Sequence, residues 1–107
     1  MNESKYMWLF VFFDLPTKTK ADKKKYTKFR RFLLQDGFIM MQYSIYTRIC
    51  KGDDSAQTHK KRVKEHIPEK GHIRMLSITD LQYSKMETLI GLKSKEEKLE
   101  KKQLLLF

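Results

Sequence analysis

The chain has 107 residues, of which 40% are hydrophobic and 12% aromatic, and its formal net charge is +10. This length favours one domain with a modest core, and the high aromatic content with only four Gly and two Pro argues against disorder. A charge so far from neutral points to a polyanionic partner such as nucleic acid, with a basic protein that has no such partner as the alternative.

The single cysteine and the hydrophobic segments bear on the cellular compartment. Cys50 has no second cysteine to pair with, and its place at the end of an apolar alternation predicts a buried thiol. The apolar run Tyr6–Phe13 is too short to span a bilayer and has neither the basic flank nor the cleavage site of a signal peptide. We therefore expect a cytoplasmic protein without a membrane partner.

The first predicted element is a strand. The sequence "YMWLFVFFDLP" has eight consecutive apolar residues, which is typical of a central strand covered on at least one face. Pro16 cannot donate to a ladder and ends the strand. Asp14 is therefore expected at the strand's exit.

A helix should follow from about Thr19. The sequence Thr19-x-x-Asp22 is a capping-box variant, and Tyr26, Phe29 and Leu33 give the helix an apolar stripe. Gly37 suits the left-handed position that ends a helix.

The segment "FIMMQYSIYTRIC", residues 38–50, predicts two short strands with a turn or bulge near Gln42–Ser44. A second helix is then expected, capped by Asp54 or Ser55 and stopped by Pro68 and Gly71. Its predicted apolar stripe consists of Ala56, Val63 and Ile67.

The alternating segment His72–Thr79 predicts a last strand, with a short turn or helix after it. The resulting order βαββαβ is that of a ferredoxin-like α+β fold. We assign residues 1–91 to this domain. Residues 92–107 are a charged segment that ends in the apolar "LLLF", predicted to add an extra C-terminal strand or to dock on a partner.

Basic residues are concentrated on the two predicted helices. Between Lys18 and Arg31 Asp22 is the only acid among eight cations, whose mutual repulsion a phosphate backbone would relieve. The excess of lysine favours phosphate contacts over base readout, although a solvated helix face is the plainer interpretation. The predicted nucleic-acid-binding residues are Lys18, Lys20, Lys23, Lys24, Lys25, Lys28, Arg30, Arg31, Lys60, Lys61, Arg62 and Lys64.

Asp14 is the carboxylate whose apolar surroundings need explanation. It could hydrogen-bond the following turn or simply mark the strand's exit into water. Alternatively it is a metal ligand, because Mg²⁺ binds through one or two carboxylates with waters and substrate phosphates. One Asp per chain supplies few ligands for an ion, and two copies related by a twofold axis would complete the site. The three histidines show no metal-ligand spacing.

Three segments together resemble a known family. They are "FVFFDLP", "KKYTKFRRFLLQDGFIMMQYSIYTR" and "GHIRMLSITDLQ". Between Met7 and Ile90 the chain resembles the CRISPR-associated Cas2 family, in particular the short form of type II systems. The part after Gly91 does not align with it.

The resemblance implies a homodimer with facing sheets, in which the two copies of Asp14 lie across the interface. It implies a scaffold for spacer acquisition that binds double-stranded DNA and bridges dimers of the Cas1 integrase. Metal-dependent nuclease activity belongs to some members, with Mg²⁺ or Mn²⁺ held between protomers by this aspartate. A metal-dependent endonuclease and a stand-alone, toxin-type ribonuclease on the same fold are therefore the alternatives.

An RNA-recognition-motif domain has the same order of strands and helices but is excluded, because the residues around Gly37-Phe38 do not match that module's pattern of stacking aromatics.

Overall fold

The computed structural model describes residues 5–91. Its elements follow the predicted order: β1 (Met7–Asp14), α1 (Lys20–Gln35), β2 (Ile39–Gln42), β3 (Ile45–Cys50), α2 (Asp53–Lys64), β4 (His72–Thr79) and α3 (Asp80–Ser84). The strands form one antiparallel sheet in the order β2-β3-β1-β4. The predicted ferredoxin-like α+β fold is therefore confirmed for these residues.

The two faces of the sheet are distinguished by the alternation of β1. Leu9, Val11 and Phe13 point to the face that α1 and α2 cover, which we call the helical face. Trp8 and Phe10 point to the opposite face, which we call the open face. Other buried residues of the core under the helices are Leu15, Phe29, Leu33, Phe38, Tyr46, Cys50, Ala56 and Val63.

The open face is partly covered by the short helix α3. The rings of Trp8 and Tyr83 stack with centroids 3.8 Å apart, and Trp8 Nε1–H donates to Asp80 Oδ1 at 2.8 Å. These contacts bury Trp8 completely. Phe12 and Ile78, on the same face, are only partly buried.

The start of α1 is the predicted capping box. Thr19 Oγ1 accepts from the Asp22 backbone N–H at 3.0 Å, and Asp22 Oδ2 accepts from the Thr19 N–H at 3.3 Å. Gly37 follows the helix with a φ of 91°, as its C-terminal position predicts. Tyr43 and Ser44 then form the tight turn between β2 and β3, with Ser44 at a φ of 64°.

The prediction for α2 was wrong at both ends. The helix begins at Asp53 after Gly52, whose φ is 91°, and no side chain caps it, so neither Asp54 nor Ser55 has that role. It ends at Lys64, which leaves Ile67 outside it and 54% exposed. The interior position belongs instead to His59, because a buried carboxylate satisfies its imidazole.

The segment after α3 contains no strand as far as Gly91. The extra C-terminal strand predicted near "LLLF" falls on residues 92–107, which lie outside the described residues. Within residues 5–91, no helix is long and apolar enough to cross a membrane.

Candidate functional site

Asp14 closes β1 and is exposed, between buried Phe13 and buried Leu15. By the alternation of the strand its side chain belongs to the open face. Across residues 5–91 no group of three or more His, Cys, Asp and Glu side chains is arranged to hold a metal ion. Residues 5–91 of one chain therefore supply too few ligands for a complete metal centre, and Asp14 fits such a centre only as part of a larger donor set.

The antiparallel register places two further polar residues beside Asp14. His72 is its direct partner on β4, and Arg74 is the partner of Phe12. All three polar side chains are exposed and, by alternation, lie on the open face. We call Asp14, His72 and Arg74 the polar corner. The sequence analysis did not connect His72 with Asp14, because only the strand register relates them.

At the polar corner the backbone before β4 lies very close to the backbone at the end of β1. A Cβ atom built on Gly71 would lie 2.8 Å from the Asp14 carbonyl oxygen and 2.6 Å from a methyl carbon of Leu15. Gly71 also has a φ of 108°, which side chains rarely tolerate. A glycine at this position therefore lets the start of β4 approach the end of β1.

The predicted cationic residues lie on the outer surface of the helical layer. Both helices pack on the helical face, so their exposed side chains point away from the sheet. All eight cations between Lys18 and Arg31 are exposed, as are Lys61, Arg62 and Lys64, whereas Lys60 is half-buried. The fold thus brings the predicted residues of both helices to one side of the molecule.

A groove of about 540 Å³ separates α1 from the connection between α2 and β4. Lys25, Lys28 and Arg31 line it together with Glu65 and Glu69. At its floor the rings of Phe32 and His66 stack with centroids 3.9 Å apart. The mixed charge of this lining distinguishes the groove from the uniformly basic outer face of α1.

Within residues 5–91, two of the predicted cations have side-chain hydrogen-bond partners. Arg30 Nε donates to the Tyr46 hydroxyl at 2.6 Å, and Arg62 Nη1 donates to Asp36 Oδ1 at 2.9 Å.

On the same helix as Arg30, burial raises the pKa of Tyr26 above its ordinary value, and a hydrogen bond with Tyr43 raises it further. Tyr26 is therefore neutral at physiological pH and does not offset the positive charge of α1.

Asp36 joins α1 to α2 and β3. Its Oδ2 lies 2.7 Å from His59 Nδ1, and its backbone carbonyl accepts from Arg48 Nη1. The Asp36 side chain is only 8% exposed and the His59 side chain 11%. This cluster fixes the basic surface of α2 relative to that of α1, and the sequence analysis assigned no role to either residue.

The open face carries an apolar recess of about 200 Å³ next to the part that α3 covers. Leu76 in this recess is 51% exposed and Met86 is 44% exposed. The other residues that line it are Phe10, Phe12, Met41, Gln42, Ile45 and Ile78. The open face thus carries apolar side chains that the helices leave partly exposed.

Comparison with known proteins agrees with this fold and its sequence motifs. The profile of the family described as "CRISPR associated protein Cas2" matches residues 7–86. The chain belongs to the Cas2 family. The matched range spans β1 to α3 and includes Asp14 and both basic helices.

Curated members of the Cas2 family are similar over most of their length. A protein of Acidovorax ebreus is 46% identical over 102 residues, which cover 94% of this chain and all of that protein. A protein of Flavobacterium psychrophilum is 43% identical over 107 residues, which cover all of this chain and 93% of that protein. Both are described as "CRISPR-associated endoribonuclease Cas2".

A solved structure described as "Crystal structure of cas2" is also similar. It aligns with a TM-score of 0.56 at 12% sequence identity, covering 84% of this chain and 92% of that chain. At this identity the comparison concerns the fold, which the two chains share.

Proposed function

We propose that the protein is a CRISPR adaptation protein that acts as a homodimeric scaffold. In this role it binds double-stranded DNA without sequence preference and bridges dimers of the Cas1 integrase during spacer acquisition. Membership of the Cas2 family places it in a CRISPR system, and the scaffold role is our inference.

The observation that carries the proposal is the two-sided distribution of side chains. The exposed cations of α1 and α2 lie on the outer surface of the helices, whereas the exposed Leu76 and Met86 line the apolar recess of the open face. Two copies that pair through their open faces would present both basic surfaces outward. A duplex could then contact the lysines of both copies, because phosphate contacts need charge at a suitable spacing and no base readout.

The apolar recess supports pairing through the open face. Leu76 and Met86 are about half exposed in one chain, while the neighbouring Phe10 is buried. A second copy would remove these apolar surfaces from water, which contributes about 25 cal/mol per Å² buried.

Duplex binding can be tested through its dependence on salt. If the dimer engages roughly six phosphates, log K should fall against log salt with a slope of about −5. Lys24→Glu with Lys28→Glu should flatten this slope and weaken all duplex sequences alike. The matched control is Lys5→Glu with Lys85→Glu, which changes the net charge equally away from α1. Equal losses in both variants would contradict an interface on α1.

Bridging requires a separate measurement with the Cas1 integrase. Mixing the two proteins with a short duplex should give a complex that contains both in size-exclusion chromatography. The α1 double variant should lose DNA from this complex. Integration that proceeds equally well without this protein would contradict the scaffold role.

A second candidate function is a metal-dependent endoribonuclease. The printed descriptions of the relatives favour it, as does an exposed carboxylate at the rigid end of a central strand. A divalent ion held there would stabilise negative charge on a phosphodiester and activate a water. The residue that would contribute to holding it is Asp14, with Mg²⁺ or Mn²⁺ as the expected ion.

The two candidates are separated by Asp14→Asn. This variant should lose any metal-dependent cleavage of labelled RNA or duplex DNA, while duplex binding and integration continue. Loss of integration by a folded, DNA-binding variant would contradict the scaffold role and make Asp14 catalytic. Cleavage of RNA together with absent duplex binding would instead favour a stand-alone ribonuclease.

A further inference from the structure

The polar corner offers a second donor for a metal ion bound at Asp14. We propose that His72 is a metal ligand together with Asp14, and that this pair selects a transition-metal dication over Mg²⁺. This inference rests on the second candidate function only in taking Asp14 as a metal ligand.

The first argument is the register. Asp14 and His72 are direct partners in the antiparallel ladder of β1 and β4. Side chains at such positions share a face, and their Cβ atoms lie about 4.5–5.5 Å apart. This spacing lets a carboxylate oxygen and an imidazole nitrogen converge on one ion at bond lengths of about 2.0–2.2 Å.

The second argument is that both side chains are available. They are exposed, and within residues 5–91 neither has a side-chain hydrogen bond or ion pair with another residue. His59 is not available in this way, because its Nδ1 already pairs with the Asp36 carboxylate. His66 Nδ1 likewise lies 2.7 Å from the Arg62 carbonyl oxygen.

The third argument is the fixed backbone at this corner. Gly71, which precedes His72, packs against the Asp14 carbonyl oxygen so closely that a Cβ would be 2.8 Å from it. The backbone positions of Asp14 and His72 are therefore fixed relative to each other. A pair of ligands on a rigid frame loses less entropy on binding an ion than a pair on loops.

The donor set determines which ion is preferred. Mg²⁺ takes oxygen ligands almost exclusively, whereas imidazole is a good ligand for transition metals. A pair of one carboxylate and one imidazole therefore favours transition-metal dications over Mg²⁺. Mn²⁺ is the weakest binder among them, and its paramagnetism makes it a suitable probe. Arg74, the next residue of β4 on this face, is the cation that opposes metal binding and is suited to hold a substrate phosphate.

The test measures binding of Mn²⁺ to the full chain. Bound Mn²⁺ is detected as a loss of the electron paramagnetic resonance signal of the free ion, and Mg²⁺ is added as a competitor. His72→Ala should weaken Mn²⁺ binding by at least about tenfold and leave that of Mg²⁺ within about twofold. His66→Ala, which changes an exposed histidine away from Asp14, is the matched control and should bind like the wild type. His72→Asp should shift the preference toward Mg²⁺, because it replaces nitrogen by oxygen.

Each outcome has a distinct meaning. Loss of binding in Asp14→Asn with unchanged binding in His72→Ala would overturn the role of His72 and leave the second candidate function standing. Absence of Mn²⁺ binding by the wild type would overturn the role of His72. Unchanged binding of both ions in Asp14→Asn would overturn the role of His72 and the second candidate function together. Circular dichroism melts identify a variant that has not folded, and the His72→Asp selectivity then decides the question.

Discussion

His59 Nδ1 lies 2.7 Å from Asp36 Oδ2, which joins the middle of α2 to the residue that ends α1. The same carboxylate accepts from Arg62, so one aspartate satisfies two basic side chains of α2. The two helices that carry the exposed cations are thereby held in one orientation. The relative position of the basic surfaces thus depends on Asp36 and His59, to which the proposed function assigns no DNA contact.

Asp36→Ala should destabilise the fold, because it leaves the buried His59 ring without its carboxylate. The expected loss is about 2 kcal/mol in the free energy of unfolding, measured by urea denaturation. Asp54→Ala, at an exposed site in the first turn of α2, is the control and should cost about 0.5 kcal/mol. A loss in Asp36→Ala no larger than in the control would contradict a structural role for the cluster.

Gly71→Ala should disturb the polar corner. Its added Cβ would meet the Asp14 carbonyl oxygen at 2.8 Å, and its φ of 108° would be strained as well. Gly52→Ala is matched, since Gly52 has a φ of 91° with no atom within 4 Å of the added Cβ. Backbone strain alone costs about 1–3 kcal/mol in either variant. Because of the close contact, the loss in free energy of unfolding should be at least about 1 kcal/mol larger for Gly71→Ala than for Gly52→Ala in urea denaturation. Equal losses would contradict a close contact between Gly71 and the end of β1.

Leu76→Glu should dissociate the proposed homodimer without unfolding the chain. Leu76 is 51% exposed in one chain, so a carboxylate there reaches water in the monomer but is desolvated in the dimer. We expect the dimer to weaken by at least about a hundredfold, a cost of roughly 3 kcal/mol, in sedimentation equilibrium. Leu34→Glu, at a 42% exposed site on α1, is the control and should remain dimeric. Dimers of Leu76→Glu with the wild-type affinity would place the interface elsewhere.

Thr19→Ala should fray the first turn of α1. The variant loses the hydroxyl that accepts from the Asp22 N–H, which costs about 1 kcal/mol. Thr27→Ala, at an exposed position within the same helix, is the control and should be neutral or slightly stabilising. Thermal melts of both variants measure the difference, and equal melting temperatures would show that the capping box does not stabilise the helix.

Local signals explain how much of the fold could be predicted from the sequence. Thr19 and Asp22 form the capping box that their spacing predicts, and Gly37 follows the helix with the expected positive φ. The apolar run that begins at Tyr6 becomes the central strand as far as Asp14. These features depend on residues a few positions apart, so the chain's local chemistry determines them.

The start and end of α2 show where local signals fail. Asp54 and Ser55 are acceptable caps, yet the N-cap is Gly52, two residues before Asp54, and its positive φ turns the chain into the helix. His59 replaces the expected Ile67 in the core because Asp36, distant in sequence, satisfies its ring. A buried polar residue can be predicted only when its partner is known.

The sequence by itself determined the order of the elements, the charge of the helices and the place of Asp14 at a strand end. The tertiary structure decided which residues meet. It alone pairs Asp14 with His72 and separates the basic surface from the apolar one onto opposite faces of the sheet. The physical reason is that strand register and helix packing minimise the exposed apolar area of the whole chain, a quantity that no short segment specifies.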